Sequence, residues 1–557
     1  MSPSSSHFSR FLHGAALALC LGAFLVLAFW DLKSPGLDRN EAWMGMTAAS
    51  IDFVQAMKEG SFRSLPLHFD EHHGTWLAYA VYPFLKIMRG SSSALRVSMV
   101  FYSFLALIGI YYLARKSYGK TAALFALFLV ALHPSYLVIT RLGAADGSPL
   151  FLLSALMFIF LRRWQQTGRG RDFLLICFFY GLGVGTIFWF VFWGGGLAVV
   201  LLLSGREAWN RSGRGLGWHM AWGGVCFLAG MGPLTLACAT GNLPLDKVVD
   251  YYVDFAHRVA PAGDYSLASV FFWRERWRTF WMTLGGEYTY IRYGASPNVN
   301  AWIYNALFVA AVAWSVGRYL GDLKKGARRG FAVDLVLLTV VYVVSATFSP
   351  TSLRARHVFP VLPWALFVSA AGFADLCGRL KNILWRRAAW AAAAGLVILS
   401  AARCHYANYF YLSRTGGGTS LNSGAVYELA EWVRARGYGR VMVGPPWMRA
   451  KLRFLASPTI RTSVSVLAEE PWTPRLAKKC EEHRRETDAY IIPFWNDKEE
   501  RQSNIFKKFN RWARRQKPAI SLVKVLHERN GRPAYLVYEP LDSAKAPLLE
   551  SAPEGKR

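Results

Sequence analysis

The chain has 557 residues, of which 53% are hydrophobic and 18% charged, and its formal net charge is +29. Apolar runs of about twenty residues recur along it, the length that crosses a hydrocarbon core, and this excludes a single soluble core. Much of the basic excess lies in short clusters between these runs, where such clusters set membrane orientation, so we expect no nucleic-acid partner.

The apolar runs predict a polytopic α-helical membrane domain over residues 1–404, with about eleven spans. The predicted spans cover residues 11–30, 93–114, 121–139, 148–161, 172–188, 190–204, 217–238, 301–319, 333–348, 359–377 and 387–403. The run from 174 to 203 is almost uninterrupted, so it forms either one long helix or two short helices joined by a tight turn.

The Lys and Arg residues of the short connections predict the orientation. They cluster after the second, fourth, sixth, eighth and tenth spans, all on one side of the membrane if the run from 174 to 203 forms two helices. By the positive-inside rule that side is cytoplasmic. The N-terminus is then cytoplasmic, and the segments 31–92 and 239–300 and the tail lie outside. A composition rich in Ala, Gly and Arg is compatible with a bacterial inner (cytoplasmic) membrane and a periplasmic tail.

The tail predicts a small extracytoplasmic α/β domain over residues 405–545, followed by a disordered end at 546–557. Helical periodicity covers 425–435, and a charged helix is expected over 498–516. Strands are expected at 440–443, 488–494, 520–525 and 534–538. Strands alternating with helices favour a mixed sheet covered by helices.

Asp38 and Glu41 lie three residues apart directly after the first span. If Asp38 caps a helix, Glu41 takes the third helical position and the pair is a plain capping arrangement. The functional alternative is that one carboxylate acts as general base on an acceptor hydroxyl or amine. Both interpretations stay open on the residues alone.

An amphipathic stretch from 43 to 57 follows, and it predicts an interfacial helix. After it comes a polar cluster made of Asp70, Glu71, His72 and His73. These residue types suit a metal, but adjacent histidines point in different directions on a helix or a strand. We therefore expect polar contacts to a sugar or diphosphate, and no required metal or other cofactor.

Basic residues also lie at the predicted outer ends of spans, against the positive-inside trend. They are Arg96, Arg141, Arg354, Arg356 and His357, and Asp146 follows shortly after Arg141. Arginine side chains at a boundary commonly extend to the head groups. The alternative is that their guanidinium forks bind the phosphate of a lipid donor.

The order of these motifs resembles the GT-C superfamily of membrane glycosyltransferases, most closely the protein O-mannosyltransferases and the lipid A aminoarabinose transferases. The resemblance rests on the acidic motif after span one, Ala94-Leu95-Arg96, Tyr112-Leu113-Ala114-Arg115, His133-Pro134, Thr140-Arg141 and Arg356-His357-Val358-Phe359-Pro360. It covers about residues 20–380, is good from 31 to 165 and is absent from the tail.

The resemblance implies a polyprenyl-phosphate sugar donor, a lipid, glycan or protein acceptor, and inversion at the anomeric carbon. It implies that the first external loop carries the base, and that Arg141 and residues 354–357 lie near the donor phosphate. The family usually has an Asp-Glu pair where this chain has Asn40-Glu41. Either Asp38 or Glu41 has taken the role of the base, or activity has been lost.

Two other functions compete with the transferase. A transporter or flippase of lipid-linked sugars would usually show internal repeats and mid-membrane ionisable residues, and the sequence shows neither. The second is an inactive family member that binds a glycan, which would explain Asn40. We expect Asn40, Asp146 and the 70–73 cluster to contact the substrate.

Overall fold

The computed structural model describes residues 3–52, 65–66, 75–142, 147–213, 215–240, 270–288, 298–323, 331–347, 358–416, 423–444, 446–456, 461–462, 487–493, 509, 511–516 and 519–540. The chain forms two compact units. The membrane unit contains residues 1–32 and 47–408, and the tail unit contains residues 33–46 and 409–557. The predicted division after residue 404 stays a prediction; one helix, Ile383–Thr415, runs across that position.

The regular elements described in the membrane unit are helices. Its helices are α1 Pro3–Phe29, α2 Arg39–Ala49 (which begins in the tail unit), α3 Trp76–Ile87, α4 Ser93–Ala131, α5 Pro134–Arg141, α6 Gly147–Thr167, α7 Gly170–Thr186, α8 Phe192–Ser212, α9 Leu216–Met231, α10 Pro233–Ala239, α11 Val270–Leu284, α12 Ala301–Leu323, α13 Phe331–Thr347, α14 Leu362–Gly378 and α15 Ile383–Thr415. Short 3₁₀ turns, Phe188–Val191 and Phe359–Val361, precede α8 and α14.

Six of the described helices are long and apolar enough to cross a membrane. A seventh crossing results if α9 and α10, bent by 94° at Gly232, form one span, and Trp189–Leu203 and Phe331–Ala346 are shorter apolar helices. The eleven predicted spans all fall on helices of this unit. The polytopic helical fold class is therefore confirmed.

Two predicted spans, 93–114 and 121–139, are joined more tightly than expected. They share α4, which is broken only at Gly119 with φ +85° and ψ −178°, a conformation that glycine tolerates. The second of them is interrupted at His133, which is extended because Pro134 follows and opens α5.

The two-helix alternative for the run from 174 to 203 is confirmed. The break lies at Ile187, in extended conformation between α7 and the 3₁₀ turn, and not at the three glycines 194–196. Those glycines lie inside α8 and permit close packing: a Cβ at Gly196 would meet the backbone of Leu338 in α13 at 3.1 Å.

Aromatic side chains fill the centre of the membrane unit. Phe158 of α6 packs edge-on against Trp193 of α8 and Trp364 of α14, with centroids 5.1 and 4.5 Å away. The indole N–H of Trp364 donates to Ser154 Oγ (2.9 Å), which satisfies a polar group that has no access to solvent.

The tail unit contains a mixed sheet, as predicted, and the sheet has five strands where four were expected. Helix α16 Ala425–Ala435 coincides with the predicted helix, and α17 is Pro446–Ala456. The strands are β1 Arg440–Val443, β2 Arg461–Thr462, β3 Ala489–Pro493, β4 Ile520–His527 and β5 Pro533–Pro540. Their order is β2-β1-β3-β5-β4, with β1 parallel to β2 and β3, and β5 antiparallel to β3 and β4. Most of the predicted helix 498–516 lies outside the described residues.

The close packing of α7 against glycines of α9 leads to a testable prediction. Gly230→Ala should destabilise the membrane unit, because its Cβ would meet the Phe178 carbonyl oxygen at 2.2 Å and force the helices apart. Overpacking of this kind costs about 1–3 kcal/mol. We expect a lower Tm for the detergent-solubilised protein, followed by Trp fluorescence.

Gly224→Ala on the same helix is the matched control, since nothing lies within 4 Å of its Cβ position. It should unfold at the wild-type temperature or slightly above. Equal Tm values for the two variants would contradict the contact between α7 and α9.

Candidate functional site

The acidic pair lies at the start of helix α2, in the part of the predicted first external loop that belongs to the tail unit. We call residues 33–46 the first-loop segment. Asp38 precedes the helix, and its Oδ1 accepts the backbone N–H of Asn40 at 2.9 Å. Glu41 Oε2 accepts the backbone N–H of Asp38 at 2.6 Å. These two reciprocal bonds form a capping box, so the capping interpretation is confirmed.

The capping box places its members in different environments. Glu41 is 0% exposed, whereas Asp38 and Asn40 are partly exposed. Two apolar neighbours, Leu37 and Ala42, are fully buried and fix the entry of the chain into the helix. Asp38 is therefore the more accessible of the two carboxylates, and Glu41 holds the backbone of Asp38.

Arg96 and Arg141 lie in the membrane unit and are almost fully buried, 1% and 2% exposed. Arg96 Nη1 donates to the Leu32 carbonyl at 2.6 Å. Arg141 Nη2 donates to the carbonyls of Trp30 and Asp31, the latter at 2.8 Å. Both guanidinium groups thus bind the backbone where the chain leaves α1, immediately before the first-loop segment. Their predicted contact with a donor phosphate is untested.

The end of the segment 239–300, which is predicted to be external, forms a buried polar cluster against α5. The ring Nε2 of His133 donates to the Leu284 carbonyl (2.8 Å), and Ser135 Oγ donates to the Thr283 carbonyl (2.8 Å). From the other side, Asn298 Nδ2 donates to the Gly285 carbonyl at 2.7 Å. These bonds fix the turn after α11.

The same turn carries Glu287, a carboxylate that the sequence analysis did not single out. It is partly buried, and burial raises the pKa of its carboxyl group, while the Asn298 backbone N–H and the charge of Arg278 oppose that shift. Only its place in the long external segment 239–300 pointed to it, because no motif surrounds it.

Several predicted site residues lie outside the described residues. They are Asp70, Glu71, His72, His73, Asp146, Arg354, Arg356 and His357. Within the described ranges, no group of three or more His, Cys, Asp or Glu side chains is arranged to hold a metal ion.

Part of the membrane unit matches a known protein family. The family described as dolichyl-phosphate-mannose-protein mannosyltransferase matches residues 72–232, which contain α3 to α9. No curated protein matches the sequence.

Solved structures share the fold over nearly the whole chain. ArnT from Cupriavidus metallidurans bound to undecaprenyl phosphate has a TM-score of 0.59, covering 95% of this chain and 99% of its own, at 12% identity; its apo state gives the same values. The Archaeoglobus fulgidus oligosaccharyltransferase tethered with an NVT-containing acceptor peptide has a TM-score of 0.52, covering 88% and 70%, at 14% identity. At these identities the likeness establishes the fold, and the resemblance to the GT-C membrane glycosyltransferases is confirmed.

The capping box generates a prediction about the helix itself. Asp38→Ala should loosen the start of α2, because it removes the acceptor of the Asn40 N–H; the loss of a cap costs about 0.5–2 kcal/mol. Asp38→Asn keeps an acceptor oxygen and should leave the helix intact. Hydrogen exchange of peptides covering residues 33–46 measures the difference. Equal exchange in the Ala and Asn variants would contradict the cap.

Proposed function

We propose that this chain, which has the fold of the GT-C membrane glycosyltransferases, transfers a sugar from a polyprenyl-phosphate-linked donor to a lipid, glycan or protein acceptor at the outer face of the membrane. The match to a dolichyl-phosphate-mannose-protein mannosyltransferase family and the undecaprenyl phosphate bound to ArnT support a lipid-phosphate donor. The acceptor peptide tethered to the archaeal oligosaccharyltransferase supports the inclusion of a protein among these acceptors.

The observation that carries the proposal is the capping box at Asp38 and Glu41. In a chain with this fold, it fixes two carboxylates directly after the first span, where the resemblance expects the base. A base must be held within hydrogen-bond reach of the proton that it removes, and a side chain on a capped helix end is held in this way.

The two carboxylates take different roles in the reaction. Asp38, partly exposed, accepts the proton of the acceptor hydroxyl or amine as that atom forms its bond to the anomeric carbon. The bond from that carbon to the phosphate oxygen breaks, and the polyprenyl phosphate leaves with the electron pair. Attack opposite the leaving group inverts the anomeric configuration. Glu41, fully buried, acts through its bond to the Asp38 backbone as a positioning residue.

The donor phosphate is an anion, and in this proposal basic side chains bind it. Arg354, Arg356 and His357 at the outer start of the tenth predicted span supply the positive charge. Arg96 and Arg141 already bind backbone carbonyls, but a guanidinium has several N–H donors and can bind a phosphate in addition. Asn40, Asp146 and the 70–73 cluster contact the sugar or the acceptor.

The basic loops support the location that we propose for the chain. In this proposal the chain crosses the inner (cytoplasmic) membrane several times, with a cytoplasmic N-terminus and a periplasmic tail. Asn40 in place of the family Asp supports one other function, an inactive glycan-binding member, and the experiment below separates the two.

The test is release of free polyprenyl phosphate and formation of glycosylated product, both followed by mass spectrometry. The purified full chain is reconstituted in liposomes with a lipid extract that contains polyprenyl-phosphate-linked sugars. Wild type should release the carrier. Asp38→Asn, which keeps the cap, should lower the rate about 10²–10⁴-fold, the contribution of a general base. Glu41→Gln keeps an acceptor oxygen and should lower the rate far less.

Arg171→Gln is the control, because Arg171 is an exposed residue of the basic, predicted cytoplasmic, loop region. It should transfer at the wild-type rate. Unchanged transfer by Asp38→Asn would exclude Asp38 as the base. If the wild-type protein binds lipid-linked sugars from the extract but releases no carrier, the inactive glycan-binding function is favoured.

A further inference from the structure

The first-loop segment is built into the tail unit, although more than 350 residues of chain separate the two in the sequence. Ser34 is 1% exposed, and its Oγ donates to the Leu412 carbonyl at 3.3 Å. The Lys33 ammonium lies over the ring of Tyr427, 5.9 Å from its centroid. Residues 34–37 are all buried. The segment that carries Asp38 is therefore folded against the tail, and it is not a free loop.

A close contact of the segment joins α2 to α17. A Cβ placed on Gly45 would lie 2.4 Å from Cε2 of Phe454, 2.7 Å from Cζ and 2.8 Å from Cδ2. The ring of Phe454 thus lies directly on the backbone of α2, at a position where no side chain is present. Its neighbours on the buried side of α2, Met44 and Ala48, are 4% and 0% exposed.

The contact lies on the same helix face as Glu41. Residues 41 and 45 are four apart, so they lie one above the other on α2, separated by about 6 Å along the axis. A shift of the helix at Gly45 therefore moves Glu41, and Glu41 moves the Asp38 backbone through its 2.6 Å hydrogen bond. A helix transmits such a displacement because its backbone hydrogen bonds make it stiff over one or two turns.

We infer that the tail unit is a positioning element for the acidic pair, and that Phe454, packed on Gly45, is the positioning residue through which it acts. The inference rests on the proposed function for its catalytic consequence. The C-terminal domain then has a role in the reaction itself, since it sets where the base is held. Displacements of about 1 Å at a reacting group cost as much as 10²-fold in rate.

The experiment is a size exchange at the contact, in the full chain. Phe454→Ala removes the ring, Gly45→Leu introduces a clash, and the double variant returns volume to the vacated space. Hydrogen exchange of the 33–46 peptides and carrier release from the lipid-linked sugar extract are measured for each. We expect both single variants to speed exchange and to lower the saturating rate about 10-fold or more, with the half-saturating donor concentration changed less than about 2-fold. The double variant should recover much of both losses.

Two controls separate positioning from general damage. Arg453→Ala changes an exposed neighbour of Phe454 on α17, and Phe509→Leu changes the sheet core formed with Met442, Tyr490 and Tyr538. Both should leave the exchange of 33–46 and the saturating rate at the wild-type level.

Wild-type exchange of 33–46 in both single variants would overturn the inference, as would a double variant that is no better than the worse single one. A wild type that releases no carrier overturns the proposed function instead. In that case the exchange data alone decide whether Phe454 positions the segment, so the two failures are distinguishable.

Discussion

The membrane unit depends on the satisfaction of backbone carbonyls where its helices end. In a hydrocarbon environment an unpaired carbonyl costs several kcal/mol, and the last turn of a helix leaves its carbonyls without intrahelical partners. Here side chains from distant positions supply the donors. Arg141 and Arg96 bind the carbonyls after α1, His405 binds that of Leu132 after α4, and His133 and Asn298 bind those at the end of α11. Irregular backbone is tolerated at these places because each is locked by a buried polar side chain.

This constraint explains which parts of the fold were predictable from the sequence. Apolar runs of span length, turn residues and alternating strands are local signals, and they located the helices and most of the sheet. The partners of His133 and Arg141 are more than one hundred residues away, and they are main-chain atoms. A main-chain carbonyl has no signature in the sequence, so these contacts could not be predicted from it. The sequence analysis did not single out Glu287 for the same reason, because the groups that surround this carboxylate come together only on folding. The binding of a donor phosphate by Arg141, which rests on its residue type and the resemblance, stays a prediction.

Local sequence signals also could not predict that the first-loop segment belongs to the tail unit. The sequence analysis placed residues 31–92 with the membrane domain, since they follow its first span. The contacts that decide the matter join residues 33–46 to 409–557, and the most telling of them involves a glycine, which carries no side chain. A fold retained at 12% identity to ArnT shows the same principle at the scale of the chain: architecture depends on where volume and hydrogen bonds are placed, and many sequences meet those conditions.

The capping box and the proposed base were treated as alternatives at the level of the sequence, and the geometry shows that they need not compete. A cap fixes the rotamer of Asp38 and the start of α2 through two short hydrogen bonds, which is what preorganisation of a reacting group requires. A carboxylate on an unstructured loop would lose entropy each time it reached the acceptor, and the rate would fall accordingly. Because Glu41 is fully buried and bonded to the Asp38 N–H, the ordering is completed on folding. The structural role of the pair is thus compatible with the chemical role that we propose for it. Asn40 contributes its backbone N–H to the cap whatever its side chain does.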